Sequence, residues 1–281
     1  MNEIEFYLED LKSKFAKINP KEYYLAYSGG KDSHFLYWFI KNYLHDTDIE
    51  IVAVNTRMEF PEISNRMYKY ADKVLVPELK PQEVIAKYGM PCFNKQQDEY
   101  IYRYQHGSRS KNTMNVVNGN NIRINLNKTA RELLLTDKLP KISNKCCYHL
   151  KKKPFKDFDK SSHKKGILGV MGSESQMRKS SYTSCFTKQM KFTPLWDMTE
   201  DLMNKIYKQY DIEIPKIYEY VDRTGCAGCP YGLYKQNTAT ELQLMTPAKR
   251  KYVISLFGEA YKIRGFDVNQ TCIWDFIEEK Q

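Results

Sequence analysis

The sequence predicts an α/β protein built on a doubly wound parallel sheet, and three observations carry that expectation. Short apolar runs with strand character alternate with helical patterns. A glycine-rich turn joins the first such run to a long apolar helix. Further polar, ligand-suited loops close the later strands. Strands are expected at 23–27, 49–55, 73–77 and 166–171, and helices at 2–15, 33–44, 62–71 and 81–88. After Pro194 the chain reads as helical through 200–210 and 247–257. The section 98–145 contains Gly107-Ser108, Asn118-Gly119-Asn120-Asn121 and scattered basic residues, so it reads as an insertion or lid. The expected organisation is a nucleotide-binding domain over 1–232 and a helical C-terminal extension over 233–281.

Ser28-Gly29-Gly30-Lys31-Asp32-Ser33 lies between the apolar run 23–27 and the helical run 34–40. Gly29 and Gly30 let backbone amides approach phosphate oxygens, and the helix start offers unpaired N–H groups and a positive dipole end. Ser28 and Ser33 add hydroxyls, Lys31 adds a point charge, and Asp32 is suited to a Mg2+ ion bridging phosphates. A plain strand–turn–helix corner with a Ser or Asp cap is the bland alternative. In open α/β sheets ligands bind beyond the carboxyl ends of the strands, which expects Ser28–Ser33, 55–59 and 172–178 around one crevice.

Four of seven cysteines form two tight pairs, Cys146-Cys147 and Cys226-x-x-Cys229, 79 positions apart. Such spacing brings distant segments to one metal centre. Adjacent cysteines are strained as two ligands of one zinc ion, whereas a 4Fe-4S cubane spreads its thiolates over four irons; iron–sulfur is preferred, with zinc and unligated thiols left open. Cys92, Cys185 and Cys272 lack partners at metal spacing and read first as small buried hydrophobes.

The formal charge is +10, and eight lysines between Lys145 and Lys165 face only Asp157 and Asp159. A run of this kind is usually a solvated face. It also abuts the first cysteine pair, and Tyr100, Tyr102, Arg103, Tyr104, His106 and Arg109 add aromatic and basic groups of the sort that hold looped or single-stranded nucleic acid. Small anionic nucleotides would favour the same field. No apolar run reaches the ~20 residues of a membrane span, and residues 1–10 carry four acids where a signal peptide carries bases, so a cytoplasmic protein without membrane association is expected.

The Ser-Gly-Gly-Lys-Asp-Ser turn resembles the PP-loop of the ATP pyrophosphatase (adenine nucleotide alpha-hydrolase-like) superfamily. The chain is similar to its phosphoadenosine phosphosulfate (PAPS) reductase branch in Asn55-Thr56…Phe60-Pro61-Glu62, Gly169…Glu174-Ser175-Gln176-Met177-Arg178, Pro194-Leu195-Trp196-Asp197 and Pro215…Tyr218. The cysteine pairs resemble the cluster ligands of its iron–sulfur members, the adenosine phosphosulfate (APS) reductases. The resemblance implies nucleotide binding by Ser28, Gly29, Gly30, Lys31, Asp32, Ser33, Asn55, Glu59, Glu174, Ser175 and Arg178. It implies a 4Fe-4S cluster on Cys146, Cys147, Cys226 and Cys229, and catalytic roles for Lys31 and Asp32.

Met171 replaces the arginine of the family motif, and the C-terminal Glu-Cys-Gly-Leu-His segment with the attacking cysteine is missing, which leaves Cys272 as the tail's one catalytic candidate. The intact loop suits ATP with Mg2+. The preferred expectation is therefore an AMP-forming sulfur-transfer enzyme acting on a nucleic-acid (tRNA or DNA) or small acceptor, with a sulfide donor. The alternatives are an APS or PAPS reductase using a thioredoxin-like reductant, and a non-catalytic nucleotide-sensing relative.

Overall fold

The computed structural model describes residues 2–268 apart from Ser175 and Gln236. In chain order its strands are β1 (Tyr23–Tyr27), β2 (Glu50–Val54), β3 (Lys73–Leu75) and β4 (Lys165–Ile167). The helices are α1 (Glu3–Phe15), α2 (Lys31–Trp38), α3 (Pro61–Tyr70), α4 (Pro81–Tyr88), α5 (Lys95–Gln105), α6 (Lys111–Asn118), α7 (Lys128–Leu135), the short α8 (Lys145–Cys147), α9 (Lys153–Ser162), α10 (Gln176–Ser181), α11 (Glu200–Gln209), α12 (Asn237–Gln243) and α13 (Pro247–Ile263). These segments form two compact units that interleave along the sequence. One comprises residues 1–55, 61–76 and 153–219; the other comprises 56–60, 77–152 and 220–281.

The first unit holds the sheet, which is wholly parallel as the sequence predicts, in the order β3-β2-β1-β4. The chain steps outward from β1 to β3 and returns to the other side of β1, so the order reverses between β1 and β4. In doubly wound folds that reversal opens the ligand crevice at the strands' carboxyl ends. β1 alternates its faces with period two. Tyr24 and Ala26 join a cluster with Val52 and Phe158 on one side, and Tyr24 donates its hydroxyl to Asp159 at 2.6 Å. Tyr23 packs edge-on to Phe192, which meets Phe15 of α1 at 5.1 Å. Asn2 caps α1 with Glu5 in a reciprocal box.

The stretch 98–145, expected as an insertion or lid, lies in the second unit. α5, α6 and α7 pack around Met90, Ile101, Val116, Val117, Ala130, Leu134 and Ile142, an apolar core of their own. The turn-like residues there are helix ends: Gly119 (φ +85°) closes α6, while Ser110 and Asn127 cap α6 and α7.

Candidate functional site

The loop after β1 is shaped by one glycine. Gly29 has φ +77°, and a Cβ there would lie 2.8 Å from the Ile63 carbonyl oxygen, so both conformation and space require glycine. The Ser28 N–H donates to Ser33 Oγ (3.1 Å) and the Ser33 hydroxyl donates to the Gly30 carbonyl (3.0 Å). With its proton so committed, Ser33 accepts from the Ser28 hydroxyl at 3.0 Å. Gly30 is the N-cap of α2, and the helix begins with no side-chain cap. Its first turn therefore presents positive dipole and amide donors at the switch point of the sheet.

Residues distant in sequence surround Lys31. Its backbone N–H donates to the Tyr218 hydroxyl (3.0 Å), its carbonyl accepts from Tyr207 (2.6 Å), and its ammonium pairs with Glu200 (2.6 Å). Burial, then the charge of Asp32, holds the Tyr207 phenol far above its ordinary pKa, so it remains a donor. Gly169, just past β4, approaches so closely that a Cβ would lie 3.0 Å from the Asp32 carbonyl carbon and from Ser33 N. Glycine is needed there for close approach to the loop.

Of the other expected nucleotide residues, Asn55 ends beyond β2 and donates to the Tyr68 hydroxyl at 3.0 Å. Glu174 closes a 3₁₀ turn over Gly172–Glu174, and Arg178 lies half-buried on α10. Ser175 and Cys272 lie outside the described residues. Glu59 belongs to the second unit, where it is buried and both its oxygens are engaged by Thr56, one by the backbone N–H (3.0 Å) and one by the hydroxyl (2.7 Å).

The four paired cysteines all fall in that second unit, and all are free thiols. Cys146 closes in on α8, which runs into a π-turn over Tyr148–Lys152. Cys226 and Cys229 flank a tight loop: Cys229 N–H donates to the Cys226 carbonyl (3.1 Å), and Gly228 (φ +69°) packs where a Cβ would strike Val253 at 2.4 Å. Buried Glu241 accepts the Gly228 N–H at 2.7 Å, Tyr261 donates to the Gly228 carbonyl, and Thr238 donates to that of Cys229 at 2.8 Å. Three helical side chains thus fix the loop's peptide groups.

Burial first, and then Cys226, Cys147 and Cys229, push the Cys146 thiol up; burial followed by the neighbouring thiols does the same for Cys229. Lys151, partly buried on the π-turn, is held in its charged form chiefly by Cys226 against the pull of burial, with Glu59, Cys147 and Cys229 assisting. The four thiols are thus near enough to interact and have a cationic partner. Among the described residues, however, no three His, Cys, Asp or Glu side chains converge as a site for a single metal ion. A tetrahedral zinc would require sulfurs about 3.8 Å apart at its ~2.3 Å bond length. A cubane holds its thiolates farther apart, each on its own iron. The donor set, all sulfur with a neighbouring ammonium, fits such a cluster.

Sequence reasoning did not single out Tyr207, Glu200 or Lys151 by role. Lys151 carried a signal, one helical turn beyond Cys147; the other two reach Lys31 across more than 160 residues.

No protein-family model matches the sequence, and no curated protein matches it. Among solved structures, the chain is similar to phosphoadenylyl-sulfate (PAPS) reductase from Candida auris in a phosphate complex (11% identity, 78% of this chain and 87% of that one, TM-score 0.44). It is also similar to NAD+ synthetase from Burkholderia pseudomallei (12%, 91% and 89%, 0.40). A third is the U34-tRNA thiolase NcsA from Methanococcus maripaludis with its [4Fe-4S] cluster (12%, 95% and 84%, 0.39). All three belong to the PP-loop adenine nucleotide alpha-hydrolase-like superfamily.

Proposed function

We propose that this chain is a PP-loop enzyme that cleaves ATP to AMP and pyrophosphate and transfers sulfur to an acceptor. The carrying observation is the helix start at Gly30, an N-cap residue with no side chain of its own, at the reversal of strand order and flanked by Lys31 and the Ser28 and Ser33 hydroxyls, with the first amide held by the Tyr218 hydroxyl. This combination supports pyrophosphate binding. An acceptor carbonyl oxygen attacks the α-phosphorus, the bond to pyrophosphate breaks, and pyrophosphate leaves with its charge facing Lys31; Asp32 would hold a Mg2+ ion, which when bound would supply further neutralisation of the phosphates. Hydrosulfide then attacks the activated carbon, AMP departs with the former carbonyl oxygen, and loss of the sulfur's proton leaves C=S. No electrons change hands.

Cys146, Cys147, Cys226 and Cys229 would hold a 4Fe-4S cluster, which when bound supplies thiophilic iron and a strong local charge. The role of this chain's residues there would be to supply the four sulfurs, with Lys151 as counter-charge.

Anaerobic incubation with radiolabelled ATP, APS and PAPS tests the reading. AMP with pyrophosphate from ATP, lost in Asp32→Ala, is expected. Sulfite from APS or PAPS, with a thiosulfonate adduct on Cys272 that disappears in Cys272→Ser, would establish a reductase instead. Cys92 is no rival for that attack, being fully buried with its thiol pushed up by burial.

A further inference from the structure

We propose that the outward face of α5 is a docking surface for looped RNA, placing an unpaired base beside the Cys146-Cys147 turn. This rests on the sulfur-transfer reading for its purpose, though not for its binding chemistry. Twelve lysines and arginines against four acids lie between Lys95 and Lys152, so most of the formal +10 resides in this stretch. One of those acids, Asp98, is fully buried, where it accepts from the Cys92 and Phe93 N–H groups.

α5 organises this charge. At 100° per residue, Lys95, Glu99, Tyr102, Arg103 and His106 span one side, away from buried Ile101, and buried Asp98 flanks that side one turn before Tyr102. Tyr102 and His106, one turn apart, stack at 3.9 Å between ring centroids. Tyr102 is half-buried and His106 exposed, so the imidazole is the open end of the stack. Lys145 Nζ lies 5.0 Å from the Tyr102 ring centroid. The acid on this face, Glu99, is paired with Arg103.

The same face is tied to the cysteine segment. Asn144 donates to the Lys95 carbonyl (3.1 Å), and Gln105 bridges the Pro140 carbonyl (2.8 Å) and the Ile142 N–H (3.0 Å). The stretch that delivers Cys146 is therefore laced along α5, and Lys145 joins the ring stack to the first thiol in sequence. A pre-stacked ring pair among cations receives a splayed base on its open face while Lys95, Arg103 and Lys145 meet phosphates. A-form duplex keeps its bases stacked inside and would gain only the charge contacts.

The test is fluorescence anisotropy with a labelled RNA hairpin bearing an all-uridine loop, a blunt RNA duplex and the DNA hairpin of the same sequence, without ATP. The RNA loop should bind at least tenfold tighter than the duplex. His106→Ala should weaken loop binding roughly tenfold, within the range of one lost stacking contact, and leave duplex binding unchanged. Arg103→Glu, an exposed change monitored by circular dichroism, should weaken both and lower the salt slope by about 0.7 or more. Equal loop and duplex affinity, or an unaffected His106→Ala, would overturn the surface; tighter binding of the DNA hairpin would overturn RNA as its occupant. RNA binding without ATP cleavage would sink the sulfur-transfer reading while leaving this one, and ATP cleavage without RNA binding would do the reverse.

Discussion

Gly29 shows how much a single residue decides. Its φ of +77° and the Ile63 carbonyl 2.8 Å from any added Cβ leave no relaxed position for a side chain. Gly29→Ala should lower stability by about 1–3 kcal/mol, the range for left-handed strain and close contact, and abolish ATP cleavage; a urea midpoint within error of the wild type would contradict it. Tyr218 makes the opposite case. Its hydroxyl holds the Lys31 N–H that a phosphate oxygen would take. Tyr218→Phe removes that competitor, and nucleotide affinity by calorimetry should rise about fivefold, equivalent to one ordinary hydrogen bond of about 1 kcal/mol. A fall in affinity would mean that the phenol serves the bound state.

At the scale of elements, the α5 start is pinned by Asp98, which accepts Cys92 N–H (2.7 Å), Phe93 N–H (3.0 Å) and the Tyr231 hydroxyl (2.8 Å). Burial nonetheless raises its pKa to about 6, above the ordinary carboxylate value. The folded state then binds the proton more tightly than the unfolded chain. Stability is highest below the unfolded pKa near 4, falls as pH rises through the window from 4 to about 6, and levels off above it. The swing should be on the order of 3 kcal/mol for a two-unit shift. Urea titrations from pH 4 to 7 should trace this fall, and Asp98→Asn should flatten the slope while leaving one buried donor poorly satisfied.

Some elements were plain in the sequence for local reasons. β1, β2 and α4 announce themselves by apolar runs and, for α4, by Pro81 at its first position. α6 and α7 were hidden because Asn, Ser and Gly serve both loops and helix caps; only the apolar positions Val116, Val117, Ala130 and Leu134 distinguish the two uses. The loop motif at 28–33 was legible in full because it is contiguous. The company of Lys31 was not, since Tyr207, Tyr218 and Glu200 meet it only through the fold. Glu59 lay next to the loop of the second strand in sequence, yet it folds with the thiol-bearing unit.

At the scale of the molecule, no described helix is long and apolar enough to cross a membrane. The thiol-bearing unit concentrates four cysteines, of which Cys146, Cys226 and Cys229 hold their protons tightly through burial and the neighbouring thiols. Iron binding would release those protons by taking the thiolates. Protein prepared anaerobically should be brown with roughly four irons per chain, and Cys146→Ser should diminish both colour and iron. A colourless preparation with one zinc per chain would refute the cluster.

The interleaving of the two units has a consequence for synthesis on the ribosome. The sheet cannot acquire β4 until residue 167 has emerged, by which time Cys146 and Cys147 are already outside the exit tunnel, while Cys226 and Cys229 are still to be translated. For that interval the nascent chain carries half a thiol set, exposed to oxidation. A cluster on these four cysteines would therefore form only on a chain whose four strands have already been translated.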